Sequence, residues 1–511
     1  MGAFAMRRRL LYVLMTGSLL AGSLPFSAIG ADAAETANVE QAQMSVSYDV
    51  SSLVKPDGTY WVWGGEGMPT VPTQVHGLTE AEESLGEHLV RRTDGTLWHW
   101  RKKTGGSAEY DVQKIPEILD PVAAISIDSA GASTLVLDRD GRVYRLDRWN
   151  SSTQEGTERQ LSGIDKVREM TKYEDLQNRK ILFVFLKDDG SVWRSDSGLA
   201  SFVQAKEIQG AAKVLQNGVL LKDGTVREWP NGYLSGGKRA AESWSGVSSA
   251  IVRGVANIRW YHSDGLSSVA VDKENRLWYW GAKGYSFEAP SVASPVLLKM
   301  ALNVKEAYIV NRSIVYLTQE GHFEQAGLGT IWAGMPFKRW ASSFDGAVPG
   351  AKHLILHRMD GTLWGWGSNV HNELGFGDAY DRLIPLPVQF PVELVLNGES
   401  IPLTNGVLTR YGQSYVPMRS IFERLGAAVT WDEQGKIASI ERAASGDKPA
   451  VRMRFNFKND SVTLNEEKLA FPRPMLSEGG ITYLPLRVVS ESLGANVEWV
   501  KQEGRIYIEM E

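Results

Sequence analysis

The chain has 511 residues, room for at least two sizeable cores, and no cysteine. That composition excludes disulfides, thiolate nucleophiles, thiolate metal sites and a lipoprotein anchor. The formal net charge is −5, or −7 once residues 1–33 are set aside, and this argues against a nucleic-acid partner, which would want a basic face.

The chain opens on Arg7-Arg8-Arg9, an apolar run from Leu10 to Leu20, and small residues leading to Ala31-Asp32-Ala33. This is the pattern of a cleaved signal peptide over 1–33, with an uncleaved anchor as the alternative. Export without cysteine fits a secreted or cell-surface protein of a bacterium. Residues 34–43 read as a loose, polar leader.

From 44 to 390 one hairpin signature recurs. Its fullest copies are Pro56-Asp57-Gly58-Thr59-Tyr60-Trp61-Val62-Trp63-Gly64 and Met359-Asp360-Gly361-Thr362-Leu363-Trp364-Gly365-Trp366-Gly367. The others centre on Gly95, Gly141, Gly190, Gly224, Asn275 and Gly321, which gives spacings of 34 to 51 residues. A mean spacing of about 43 is that of a four-stranded propeller blade. Asp-Gly predicts a tight type I′ turn, in which both central residues take positive φ. The alternating tryptophans after each turn are expected to be core between blades.

Pro385, Pro387 and Pro391 mark a boundary, and the texture changes after them. Residues 391–511 repeat at an offset of 68: Leu396-Asn397 matches Leu464-Asn465, Tyr415-Val416-Pro417-Met418-Arg419 matches Tyr483-Leu484-Pro485-Leu486-Arg487, and Trp431 matches Trp499. Each copy reads as strands, a short helix with Pro417 or Pro485 in its first turn, a cap at Gly426 or Gly494, and more strand. The fold class is therefore mainly β: a seven- or eight-bladed β-propeller followed by a small duplicated α+β domain.

The hairpin repeats resemble the regulator of chromosome condensation family of propellers. The copy from Asp360 through Gly367-Ser368-Asn369 to Glu373-Leu374-Gly375-Phe376-Gly377 carries the resemblance best. It implies seven blades as a rule, and secreted bacterial members that inhibit β-lactamases through protein–protein contact. The tail resembles the copper amine oxidase N-terminal, or stalk-like, domain. That likeness implies a fold and no chemistry, because the oxidase reaction belongs to a separate catalytic domain. Residues 391–511 also contain no histidine, which excludes copper ligation through imidazole there.

The residues supply no catalytic motif. His353 and His357 would form a two-ligand metal face on a helix, but before Asp360-Gly361 they belong to a strand, about 13 Å apart. Asp138-Arg139-Asp140-Gly141 and Asp188-Asp189-Gly190 hint at calcium loops, yet they occupy the turn slot of the repeat. No catalytic, cofactor-binding or metal residue is therefore assigned, and no cofactor is expected. Trp244, Trp332 and Trp340 fall outside the repeat slot and are the candidate ligand-binding residues, placed to stack on a sugar or anchor a protein.

The expectation is an exported, non-enzymatic binding protein. Its propeller loops meet an extracellular protein or cell-wall glycan, and its tail serves as an accessory or attachment module. One alternative is a glycan-active enzyme with carboxylates in the propeller channel; another is a structural envelope component.

Overall fold

The eight hairpin turns organise the first three quarters of the chain. In the computed structural model, the stretches 43–74, 81–119, 121–160, 167–204, 211–251, 258–297, 304–341 and 344–387 each fold into one four-stranded antiparallel sheet with its strands in chain order. The structure describes residues 43–510 except 48, 87, 104–107, 128–132, 151–154, 176–179, 230–248, 283–290, 333–334, 447–448, 470–474 and 479. The signal segment and nearly all of the leader lie outside the described residues; Gln43 already belongs to the first strand.

The sheets are blades of one ring. First strands of neighbouring blades approach one another, and Phe344–Pro349 of blade 8 meets Gln43–Ser47 of blade 1, so the first strands surround the axis. Every seam holds its own apolar cluster. Trp98 and Trp100 pack on Val54, Tyr60 and Val62 of blade 1, while Trp61 and Trp63 pack on Ile355 of blade 8. The same rule, tryptophans facing the preceding blade, thus operates across the join of the two chain ends. Eight blades result, resolving the choice between seven and eight. Second strands such as Ser133–Asp138 and Ser267–Asp272 are buried along their whole length, because each sheet is covered on both faces by its neighbours.

The turn differs from expectation. Only the glycine, or Asn275, takes positive φ: 75° to 81° at the seven glycines and 62° at Asn275. The amide of Gly58 donates to Lys55 O at 2.9 Å and Lys55 N donates to Thr59 O at 2.9 Å. This is a type I turn over Pro56-Asp57 followed by a left-handed glycine, the three-residue hairpin loop. Asp57 keeps negative φ, where an Asp-Gly type I′ turn needs it positive; Pro56 suits the first central position of the type I turn, and the seven other turns take the same form without a proline.

The tail is built about a local twofold. Gln413–Pro417 pairs antiparallel with Ile481–Pro485, so that Val416 lies opposite its own repeat mate Leu484. The paired Leu-Asn motifs have one use. Asn397 and Asn465 both sit at φ 48°, and each carboxamide oxygen accepts an amide of a neighbouring strand, Met510 N at 2.9 Å and Arg452 N at 2.8 Å. The symmetry breaks at Val451–Asn456, a strand inserted between Ile437–Arg442 and Ser461–Leu464. In the other half Glu393–Leu396 lies directly, and parallel, on Arg505–Met510. Pro417 and Pro485 sit one residue earlier than expected, at the N-cap position of Met418–Phe422 and Leu486–Ser492. Gly426 and Gly494 take the expected left-handed conformation, each at φ 78°. Among the described residues no helix is long and apolar enough to cross a membrane.

Candidate binding surface

An antiparallel meander sends alternate connections to opposite ends of a blade. The hairpin turns and the links to the next blade therefore share one end of the ring, and the remaining connections share the other.

The turn end repeats one kind of turn chemistry. In the fullest copies the aspartate, hydroxyl and indole form a relay: Asp94 Oδ1 accepts from Thr96 N at 3.0 Å and Thr96 Oγ1 at 2.6 Å, and Thr96 Oγ1 accepts from Trp98 Nε1 at 2.8 Å. Asp57/Thr59/Trp61, Asp189/Ser191/Trp193 and Asp360/Thr362/Trp364 repeat it. The Thr96 hydroxyl and amide hold the Asp94 carboxyl below its ordinary range. A cation caps each indole: Arg92 lies 3.8 Å from the Trp98 ring centre, with Lys55, Lys187 and Arg358 placed likewise. In blades 3 and 6 the carboxylate comes two residues earlier. Asp138 and Asp272 accept the backbone amide and the guanidinium of Arg142 and Arg276, which occupies the supposed calcium loop with turn chemistry. The turn glycine carbonyls also reach the next blade, as in Ala81 N to Gly58 O at 3.0 Å and Ile258 N to Gly224 O at 3.1 Å.

The loop end is irregular. Its third-to-fourth-strand connections run from residues 151–154, the shortest, to 229–249, the longest, and one contains the helix Leu328–Ile331. Trp332 lies here; Trp340 lies instead in the strand Lys338–Ala341, beside Phe323 and Glu324 near the turn, and Trp244 lies outside the described residues. Trp332 and Trp340 are partly buried and are not brought onto one surface. Trp332 packs in the seam of blades 6 and 7, its ring 5.3 Å from Tyr279. Trp340 packs in the seam of blades 7 and 8, with the Lys338 ammonium 3.9 Å from its ring. Exposed apolar side chains of this end include Met335, Val370 and Tyr380 in the loops, at 55%, 61% and 74% exposure, and Leu383 at the start of the last strand of blade 8, at 78%. The bare loop sequence carries no periodicity to single out the first three.

Several described titratable groups near the axis are committed to different partners. Glu169 accepts Val214 N at 3.0 Å, Asp345 meets His357 Nδ1 at 2.5 Å, and Glu82 and Glu83 pair with Arg91. Burial raises Glu306, which accepts the Tyr308 hydroxyl at 2.9 Å. A partly buried carboxylate, Glu228, lies at the loop end between blades 5 and 6. Burial raises its pKa although Tyr261, Ser268 and Trp280 donate to it at 2.6, 2.7 and 2.8 Å. Nothing in the repeat pattern flagged it. His353 and His357 share a strand, as expected; His353 is buried and His357 is partly exposed.

This architecture is an eight-bladed β-propeller joined to a duplicated α+β domain. Residues 395–508 match the family described as the copper amine oxidase N-terminal domain. Among solved structures, the chain is similar to human WBSCR16 at 16% identity and a TM-score of 0.35, covering 69% of this chain and 83% of that one. It is similar to yeast RCC1 (Prp20) bound to Kap60 at 14% identity and a TM-score of 0.36, over 75% and 91% of the two chains. BamB from Moraxella catarrhalis aligns at 12% identity and a TM-score of 0.36, over 64% of this chain and 93% of that one. No curated protein matches the chain. The tail family's name implies copper, but residues 391–511 hold neither histidine nor cysteine, so they do not fit that metal. Among the described residues no group of three or more histidine, aspartate or glutamate side chains could hold a metal ion.

Proposed function

We propose that the chain is an exported, non-enzymatic binding protein of the bacterial cell surface, and that the loop end of its propeller recognises a cell-wall glycan or an extracellular protein. The observation that supports this reading is the contrast between the two ends. One is a repeated lattice of turns tied to the next blade; the other carries connections of unlike length and sequence between the strands of a rigid frame. Such a frame holds recognition loops at low ordering cost. The tail is the accessory or attachment module.

The test is co-sedimentation of residues 34–511 with purified Gram-positive cell walls. It compares the unaltered chain, a loop-end variant (Met335→Asp with Tyr380→Asp) and a turn-end variant (Lys222→Glu). The proposal expects the first and third to pellet equally and the second to pellet less, down to what the tail alone retains. A chain that never pellets removes the glycan and leaves a soluble protein partner. Loss of binding in the turn-end variant alone would place recognition at the wrong end.

A further inference from the structure

Seven seams of the propeller are crossed by the chain itself. The eighth, between blades 8 and 1, joins the two ends of the repeat, and each of these blades takes all four strands from its own stretch. No strand is exchanged to lock the ring. Closure within the propeller relies on Trp61 and Trp63 against Ile355, Leu374 and Phe376, and on the blade 8 loop reaching across. There Glu373 O accepts Trp63 Nε1 at 3.0 Å and Ser51 Oγ at 3.1 Å, and His371 O accepts Gly65 N at 2.9 Å.

The tail adds a second bridge over the same seam. Asn405 is fully buried; its carboxamide oxygen accepts Thr70 N at 3.0 Å and Val71 N at 3.3 Å, and its nitrogen donates to Thr70 Oγ1 at 2.8 Å. All three partners belong to blade 1. Gly406 lies so close to that loop that a Cβ would come within 2.1 Å of Pro72 O. Leu408, fully buried, packs on Val71 together with Tyr415 and Tyr483, the two tyrosines related by the local twofold. Beyond it the contacts pass to blade 8. A Cβ on Gly377 would touch Leu408, the Arg410 guanidinium donates to Phe376 O, and Thr409 N donates to Gln389 Oε1 at 2.8 Å. The space left under this contact, among Trp61, Gln74, His76 and Leu403, is about 10 Å³, the size of one water.

We infer that residues 405–410 make the tail a clasp that closes the propeller ring, in the place a shared strand would otherwise take. The departure from the internal repeat marks the same spot. The second copy has Pro472-Arg473-Pro474 where the first has Thr404-Asn405-Gly406, so only one copy carries the docking segment.

The experiment is native-state hydrogen exchange on the chain from residue 34 to 511, unaltered and with Asn405→Ala or Leu408→Asp. The clasp predicts exchange at least about tenfold faster in 60–74 and 363–389, with blades 4 and 5 unchanged. Exchange in 437–442 and 451–456 reports whether the tail itself stays folded. Opening of the seam supports the clasp whether the tail stays folded or unfolds with it. A seam that keeps its protection, with the tail folded or lost, overturns it, as does an equal loss in all eight blades.

Discussion

Gly224 offers the sharpest test of how the blades are joined. It closes the blade 5 hairpin at φ 80°, and a Cβ there would lie 2.7 Å from both N and Cα of Asn257 at the entry to blade 6. Gly224→Ala therefore forces an L side chain into the left-handed region, at about 1–2 kcal/mol. It also displaces the next blade's backbone, adding about 1–3 kcal/mol of overpacking, and strains the Ile258 N to Gly224 O bond, worth about 1 kcal/mol. The sum is about 3–6 kcal/mol. Gly210 is the control, with φ 70° and nothing within 4 Å of a built Cβ. Gly210→Ala meets the first term alone, about 1–2 kcal/mol. A protein of this size need not unfold in one step, so the readout is hydrogen exchange in 258–263 and 267–272. Gly224→Ala should speed exchange there by at least about tenfold more than Gly210→Ala does. Equal effects of the two substitutions would refute the idea that the turns staple consecutive blades.

Thr96→Val should cost about 1–2 kcal/mol by cutting the relay between Asp94 and Trp98. In an NMR titration the Asp94 pKa should rise toward its ordinary value, because the threonine hydroxyl is the first cause of its depression. Acid should weaken the fold through two enclosed imidazoles. Burial lowers His262 and His353 to about 4, and His262 Nδ1 accepts Ile309 N at 3.2 Å, which requires the neutral ring. The unfolded chain binds protons more readily than these sites, so stability falls as pH drops from about 6.5 to about 4 and flattens below. Each site contributes on the order of 3 kcal/mol to that loss, and His262→Gln should shallow the acid limb of a denaturant-midpoint profile. Trp340→Ala should lower stability by about 2–3 kcal/mol through the blade 7 and 8 seam, whereas Met335→Ala, at an exposed site, should stay within about 0.5 kcal/mol. Thermal melts compare the two directly.

Much of the fold was legible in the residues. Eight Asp-Gly-type turns at blade spacing led to eight sheets, and alternating tryptophans led to eight seams. The count stayed open because a repeat's two ends can share one blade by exchanging a strand, and only the pairing of Gln43–Ser47 with Val50–Val54 shows that blade 1 is complete by itself. The eight hairpins form three-residue loops instead of the expected type I′ turns, and Pro56, which suits the first central position of a type I turn, is present in one of them alone. The basic residue two places before each relay aspartate, Lys55, Arg92, Lys187 and Arg358, was visible and passed over. The site was far less legible. Indole packing at Trp332 depends on which seam a loop falls over, and loop sequence does not encode that periodically; Trp340 belongs to a short fourth strand whose residues carry no repeat signature. Asn405 escaped notice because the offset of 68 draws attention to what the copies share, whereas docking lies where they differ.

The central claim is that recognition belongs to the loop end. Its most direct test is lysine-reactivity footprinting of residues 34–511 with and without soluble cell-wall fragments. Lys103 and Lys352 are exposed at the loop end, and Lys166, Lys222 and Lys273 are exposed at the turn end. The account predicts that wall fragments protect members of the first group and leave the second unchanged. Protection confined to the turn-end lysines would contradict it.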